Sequence, residues 1–171
     1  MVHVAFSSLV SDPESDGQFQ LSLENQGDLD GIYDFEDHYC SDPHCDCQVV
    51  ILVVRDQNGY GHAIICYGWQ PNDFYLPKEG VPNLQDKMTA NWITMGYLDP
   101  SYIFENATFF LSCFIDYFRD DELFQNWLKR RYKLFKEALA KKDPNQKEGT
   151  TVVPFHKNAL KQHKPLKKRA F

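Results

Sequence analysis

Ten consecutive residues of this 171-residue chain, HYCSDPHCDC at 38–47, hold three cysteines and two histidines. Thiolate and imidazole are the donors that tetrahedral Zn2+ takes, and a structural zinc site needs four of them. Cys40-x4-Cys45-x-Cys47 supplies three, and Asp42-Pro43 between the first two is turn chemistry that folds the loop back on itself. Three of the chain's five cysteines within eight positions argues against three unrelated core thiols. For the fourth ligand, His38 is the first choice, because His38-x-Cys40 repeats the one-residue gap of Cys45-x-Cys47. His44, beside Cys45, comes next. Cys113 is a further alternative, reachable if a helix crosses the end of the sheet.

The elements that must position this loop are read from periodicity. Val49 to Arg55 (VVILVVR) is a continuous apolar run, the pattern of a strand covered on both faces. Asn58-Gly59 follows as a hairpin signal, and Gly61 to Trp69 reads as the return strand. A two-residue turn there sets Cys66 opposite Ile51, four residues beyond Cys47 and about 13 Å away. Cys66 is therefore read as a small core residue. An earlier strand is expected near 18–24, where QFQLSLE alternates, and Asn25 to Gly31 reads as turn. Asp34, Glu36 and Asp37 are read as a solvated acidic loop. A short helix is expected near Asn83 to Met88 and a strand near Trp92 to Met95.

After residue 99 the period changes. Asp99-Pro100 is a helix start, and Ile103, Phe104, Ala107, Phe110, Leu111, Phe114, Ile115 and Phe118 recur at helical spacing. Asp120-Asp121-Glu122 opens a second helix, with Phe124, Trp127, Leu128, Phe135, Ala138 and Leu139 as its stripe. Helices near 100–118 and 121–142 follow strands near 18–24, 48–55 and 61–69. Segregated strands and helices predict an α+β domain: a small antiparallel sheet packed against two C-terminal helices. Residues 1–145 form that domain, with the metal loop at 38–47, and 146–171 form a basic tail.

The string DFEDHYCSDPHCDCQVVILVV resembles an uncharacterised bacterial family marked by a Tyr-Cys-x-Asp-Pro-x-Cys-x-Cys segment before a strand. Some of its members end in a SEC-C type zinc module. The distal ELFQNWLKRRYKLFKEAL is similar to the late helix of that family. This chain departs from the SEC-C pattern, having no cysteine after Cys113. The resemblance implies zinc at Cys40, Cys45 and Cys47 and brings no activity with it.

Composition narrows the function classes. Residues 1–122 carry 21 acidic and 4 basic side chains, whereas 123–171 carry 3 acidic and 14 basic. The tail residues Lys157, Lys161, Lys164, Lys167, Lys168 and Arg169 could neutralise phosphates on nucleic acid; equally they could solubilise the tail or dock on the acidic half. The N-terminus lacks signal-peptide character and no apolar run reaches the roughly 20 residues of a membrane span, so a soluble, cytoplasmic protein is expected. Pairing Cys66 or Cys113 with His62 as nucleophile and base fails on spacing, and no phosphate loop or zinc-protease helix is present in the sequence. The reading is a zinc-stabilised binding or adaptor module with a protein partner and no catalysis of its own. The alternatives are a zinc metalloenzyme with an open coordination site and a nucleic-acid-associated protein using its tail. The aromatic loop GWQPNDFYLP at 68–77 offers anchors for a partner, or simply core filling.

Overall fold

The structure is a computed structural model describing residues 2–11, 19–78, 81–102 and 104–141. Its strands are β1 (His3–Ala5), β2 (Phe19–Leu23), β3 (Gly31–Cys40), β4 (Val49–Asp56), β5 (Gly61–Gly68) and β6 (Tyr97–Leu98). Its helices are α1 (Leu84–Met95), α2 (Ala107–Cys113) and α3 (Glu122–Lys141). The α+β expectation holds: one open antiparallel sheet of six strands, ordered β1-β3-β4-β5-β6, carries the helices. β3 is long enough for two strands to share its outer edge. β2 pairs with its first half and β1 with its last three residues.

Alternation decides the two faces of the sheet. Tyr33, Phe35 and Tyr39 of β3, Val50, Leu52 and Val54 of β4, and Ala63, Ile65 and Tyr67 of β5 point one way, into the core. Phe110, Phe114 and Phe118 from the α2 region and Phe124, Leu128 and Phe135 from α3 fill that core from the other side. The opposite face carries Glu36, His38 and Cys40 of β3.

Several expectations are corrected. The acidic run Asp34, Glu36 and Asp37 is part of β3, and its pattern of apolar residues at 33, 35 and 39 was masked by the charges between them. The helix expected at 83–88 continues to Met95, absorbing the strand expected at 92–95; an Asn83–Asp86 capping box starts it and Gly96 ends it. The helix expected from 100 begins at Ala107. Asp99 instead donates its backbone N–H to Ile64 O (2.9 Å) and accepts from Ser101 N (2.8 Å), so it extends the sheet's edge rather than capping a helix. At Phe114–Phe118 the helix widens into a π-turn before Asp121 caps α3 by accepting from Phe124 N (2.7 Å). The 146–171 tail, with its six polyanion candidates, lies outside the described residues.

One polar contact fixes α3 on the sheet. Asp37 sits on the core face of β3, between Phe35 and Tyr39, and Arg131 reaches it from α3. Nε and Nη2 of Arg131 each donate to one carboxylate oxygen at 2.7 Å, and both side chains are buried. The guanidinium also lies over the Phe6 ring, 3.6 Å from its centroid, and 4.6 Å from that of Trp127. Breaking one partner of such a pair strands a buried charge, at about 3–5 kcal/mol; replacing both with apolar groups of similar size can be nearly neutral. Arg131→Met should therefore lower the unfolding free energy by about 3–5 kcal/mol. The double variant Asp37→Leu/Arg131→Met should recover much of that loss, as read by denaturant melts of the three chains. A double variant no more stable than Arg131→Met refutes the stranded-charge explanation.

Candidate metal centre

β3 ends at Cys40, which is fully buried, and the chain then reverses over residues 41–48. Asp42 makes the turn by accepting His44 N at Oδ1 (2.9 Å) and Cys45 N at its carbonyl (3.2 Å). That turn carries Cys45 back over Cys40, and Cys47 follows one residue later. Gln48 takes a left-handed φ of 49° as it directs the chain into β4. The three Sγ atoms lie within 4.8 Å of one another, and among the described residues no other His, Cys, Asp or Glu group is gathered as closely. Thiolates about 2.3 Å from a tetrahedral ion stand about 3.8 Å apart, so closure needs movements of only about 1 Å. This donor set can hold a metal ion.

The cluster is braced from several sides. Lys136 of α3 donates to Asp42 O (2.8 Å) and Cys40 O (3.4 Å), and Tyr132 OH reaches Asp46 Oδ1 at 3.3 Å. Ser41 donates through both its backbone N–H and its hydroxyl to Val2 O, each at 3.0 Å. Tyr75 OH donates to Gln48 O at 3.0 Å, and Gln70 Nε2 to Gln48 Oε1 at 2.6 Å. Lys136 and Tyr132 are the residues that sequence reading missed. Their signal was a helix long enough to reach past the sheet's end, with basic residues on the flank facing an acidic, thiol-rich loop.

Burial governs the thiols. It pushes Cys47 up to about 11, and it raises Cys40 as well; the neighbouring Cys45 adds to both shifts. Protons must leave for a metal to bind, so affinity rises with pH.

The other candidates lie elsewhere. His38 is on the same face as Cys40 but outside the three-thiol group, with Nε2 3.4 Å from Glu36 Oε2. Glu36 lies on the far side of His38 from the cysteines, so the ring is directed away from them. His44 is exposed and also outside the group. Cys113 is buried at the end of α2, on the other face of the sheet. Cys66 stands opposite Ile51 and is buried against Tyr97, as a core thiol. His62 engages Asp56 at 3.4 Å and packs edge-on against Tyr33, away from Cys66. In the aromatic loop, Trp69 is half-buried against Tyr132 at 5.3 Å and Phe74 against Tyr75 at 5.1 Å, which is packing rather than display.

The Glu36 carboxyl is held at about 2, chiefly by the His38 hydrogen bond and then by Arg55, whose Nε donates at 3.0 Å. Its folded value lies below the ordinary 4.5, so the stability it supplies is complete above pH 4.5 and is lost as pH falls towards 2. In chelator, Glu36→Gln should flatten that limb of a Tm-against-pH curve and leave neutral-pH behaviour less affected. An acid limb of unchanged slope refutes the assignment. No protein-family model, curated protein or solved structure matches this chain, so what the centre does rests on its own geometry.

Proposed function

We propose that the chain is a zinc-stabilised binding module in which the metal is structural and a protein partner docks elsewhere. The observation that carries this is the braced three-thiol loop, with Sγ atoms within 4.8 Å and α3 hydrogen-bonded to its backbone. Zinc suits the set: three soft donors and a first shell to be closed by a protein ligand, which leaves no position for water activation. An ion there would tie the end of β3 to the start of β4. The hydrogen bonds around the site brace the loop: Lys136 holds its backbone carbonyls and Tyr132 the Asp46 carboxylate. A metalloenzyme with water as fourth ligand is the competing reading.

What supports docking is α1. Leu84, Met88, Trp92 and Met95 are all exposed and recur at i, i+4, i+8 and i+11, a narrow stripe opposite the buried Ala90. The twelve residues of this helix present about 17 Å of such a seam, with Trp92 as its largest side chain. None of the described helices is long and apolar enough to cross a membrane.

Purified protein should carry one equivalent of zinc. The core folds around its own aromatics, so metal removal should lower stability by a few kcal/mol, set by RT ln(1 + [Zn]/Kd), without unfolding the chain outright. Cys45→Ser should bind zinc poorly and melt near the chelated wild type. Less than half an equivalent of zinc, or an unchanged Tm for Cys45→Ser, overturns the structural-metal reading. With cobalt in place of zinc, a visible spectrum that shifts on adding a small anion would favour the metalloenzyme. For docking, Trp92→Glu should lose proteins that the wild type retains from its source cells while melting alike; identical retention by both excludes the α1 seam.

A further inference from the structure

The three-thiol group lacks one donor of a tetrahedral shell, and the sheet register identifies where it comes from. β1 lies antiparallel to the end of β3, with His3 paired to Cys40, Val4 to Tyr39 and Ala5 to His38. One step further out, Ser41 N donates to Val2 O at 3.0 Å, so Val2 and Ser41 form a hydrogen-bonded pair. Pairs alternate along an antiparallel ladder, and His3 and Cys40 are therefore a non-hydrogen-bonded pair. In that kind of pair the Cα atoms are about 4.5 Å apart and the side chains, on the same face, are at their closest. We infer that His3, from the N-terminal strand, is the fourth ligand of the Cys40, Cys45 and Cys47 centre. The inference rests on the metal reading above and deepens it.

The geometry favours His3 over the histidines nearer in sequence. Zinc stands about 2.1 Å from an imidazole nitrogen and about 2.3 Å from a thiolate, so one ion bridges two side chains whose Cβ atoms are about 5 Å apart. His38 is two residues along the same strand, about 6.6 Å from Cys40, with its Nε2 3.4 Å from Glu36 Oε2. His44 is displayed to solvent. The His3 ring itself stands outside the 4.8 Å group as placed, so ligation requires its side chain to rotate about χ1 and χ2. β1 has only three residues, too few to hold its edge position by backbone pairing alone. Ligation would add to the hold that the buried Phe6 ring already gives this strand: the metal would staple β1, the end of β3 and the start of β4 together.

Cobalt titration of the full chain tests this, with His3→Gln, His3→Cys and His38→Gln beside the wild type. Thiolate-to-cobalt charge transfer in the near ultraviolet counts sulfur ligands, and the visible bands report the remainder of the shell. His3→Gln should keep three-thiolate charge transfer, change the visible bands and bind at least about tenfold more weakly. His3→Cys should restore tight binding with charge transfer raised by one third, a gain that no merely structural role of His3 produces. His38→Gln should leave the spectrum as in the wild type. If wild type takes up no cobalt, the metal reading fails and this inference falls with it. If wild type binds but His3→Gln keeps its affinity and spectrum, or His3→Cys adds no charge transfer, His3 is not the ligand and the three-thiol reading stands alone.

Discussion

The buried Asp37–Arg131 pair is the constraint on which the rest of the arrangement depends. Two charges removed from water are tolerated only in good geometry, and two N–H donors on two carboxylate oxygens, with a phenyl ring over the guanidinium, supply it. A hydrophobic stripe on α3 would allow the helix to slide or rotate on the sheet. A bidentate contact allows one register. With Arg131 fixed, Tyr132 and Lys136, one and five residues later, come to lie against the loop at 41–48. The position of the thiols is thereby coupled to a contact on the opposite face of β3. Tyr39 belongs to the same arrangement: its hydroxyl donates to Leu128 O at 3.4 Å, and burial pushes its phenol well above 10.

That pair also explains why part of the fold could not be read from sequence. The partners are 94 residues apart, and nothing local distinguishes Asp37 from its acidic neighbours. An acid-rich stretch therefore reads as solvated loop even though β3 is the strand on which the sheet is built. The β4–β5 hairpin was legible because its signals are local, an unbroken apolar run followed by Asn-Gly. Its register held for a different reason than expected. The loop comprises residues 57–59 between Asp56 and Tyr60, one residue longer than a tight turn, and a bulge at Val54/Arg55 restores the pairing of Ile51 with Cys66. The thiol cluster was legible in full from spacing. A fourth donor was not legible there: the one-residue gap points to His38, whereas antiparallel pairing also sets His3, 37 positions away, beside Cys40.

The helix boundaries show the same division. α3 was readable at both ends, with acids at its start and lysine at its close. α1 was not, since its exposed residues include leucine, methionine and tryptophan beside polar ones, and such a helix carries little of the usual amphipathic signal. The pattern is informative in itself: Ala90, Ile93 and Thr94 pack, while an apolar stripe is left outside. Gly68 follows from this packing. A Cβ there would collide with the Tyr75 hydroxyl and meet Ile93 at 2.6 Å, so the close approach of α1 to β5 requires glycine.

The Asp37–Arg131 contact and the proposed metal cross-link would differ in what releases them, and this would set how the molecule comes apart. The Asp37–Arg131 contact is shielded by aromatic rings, and losing it means losing the helix–sheet core. A metal on the thiols is exposed to protons and oxidants through Cys45 and Cys47, which are only half-buried. The raised pKa of Cys47 makes protons strong competitors for that site. Metal loss should then free the loop at 41–48 first, while β1, held through the buried Phe6 ring, stays packed with β3, β4, β5 and α3. Since α1 contacts β5 and the 3₁₀ turn at 72–75, it stays with the packed part. The exposed stripe on α1 thus keeps its shape when the metal is absent, and a binding role for it does not require the zinc to serve as a switch.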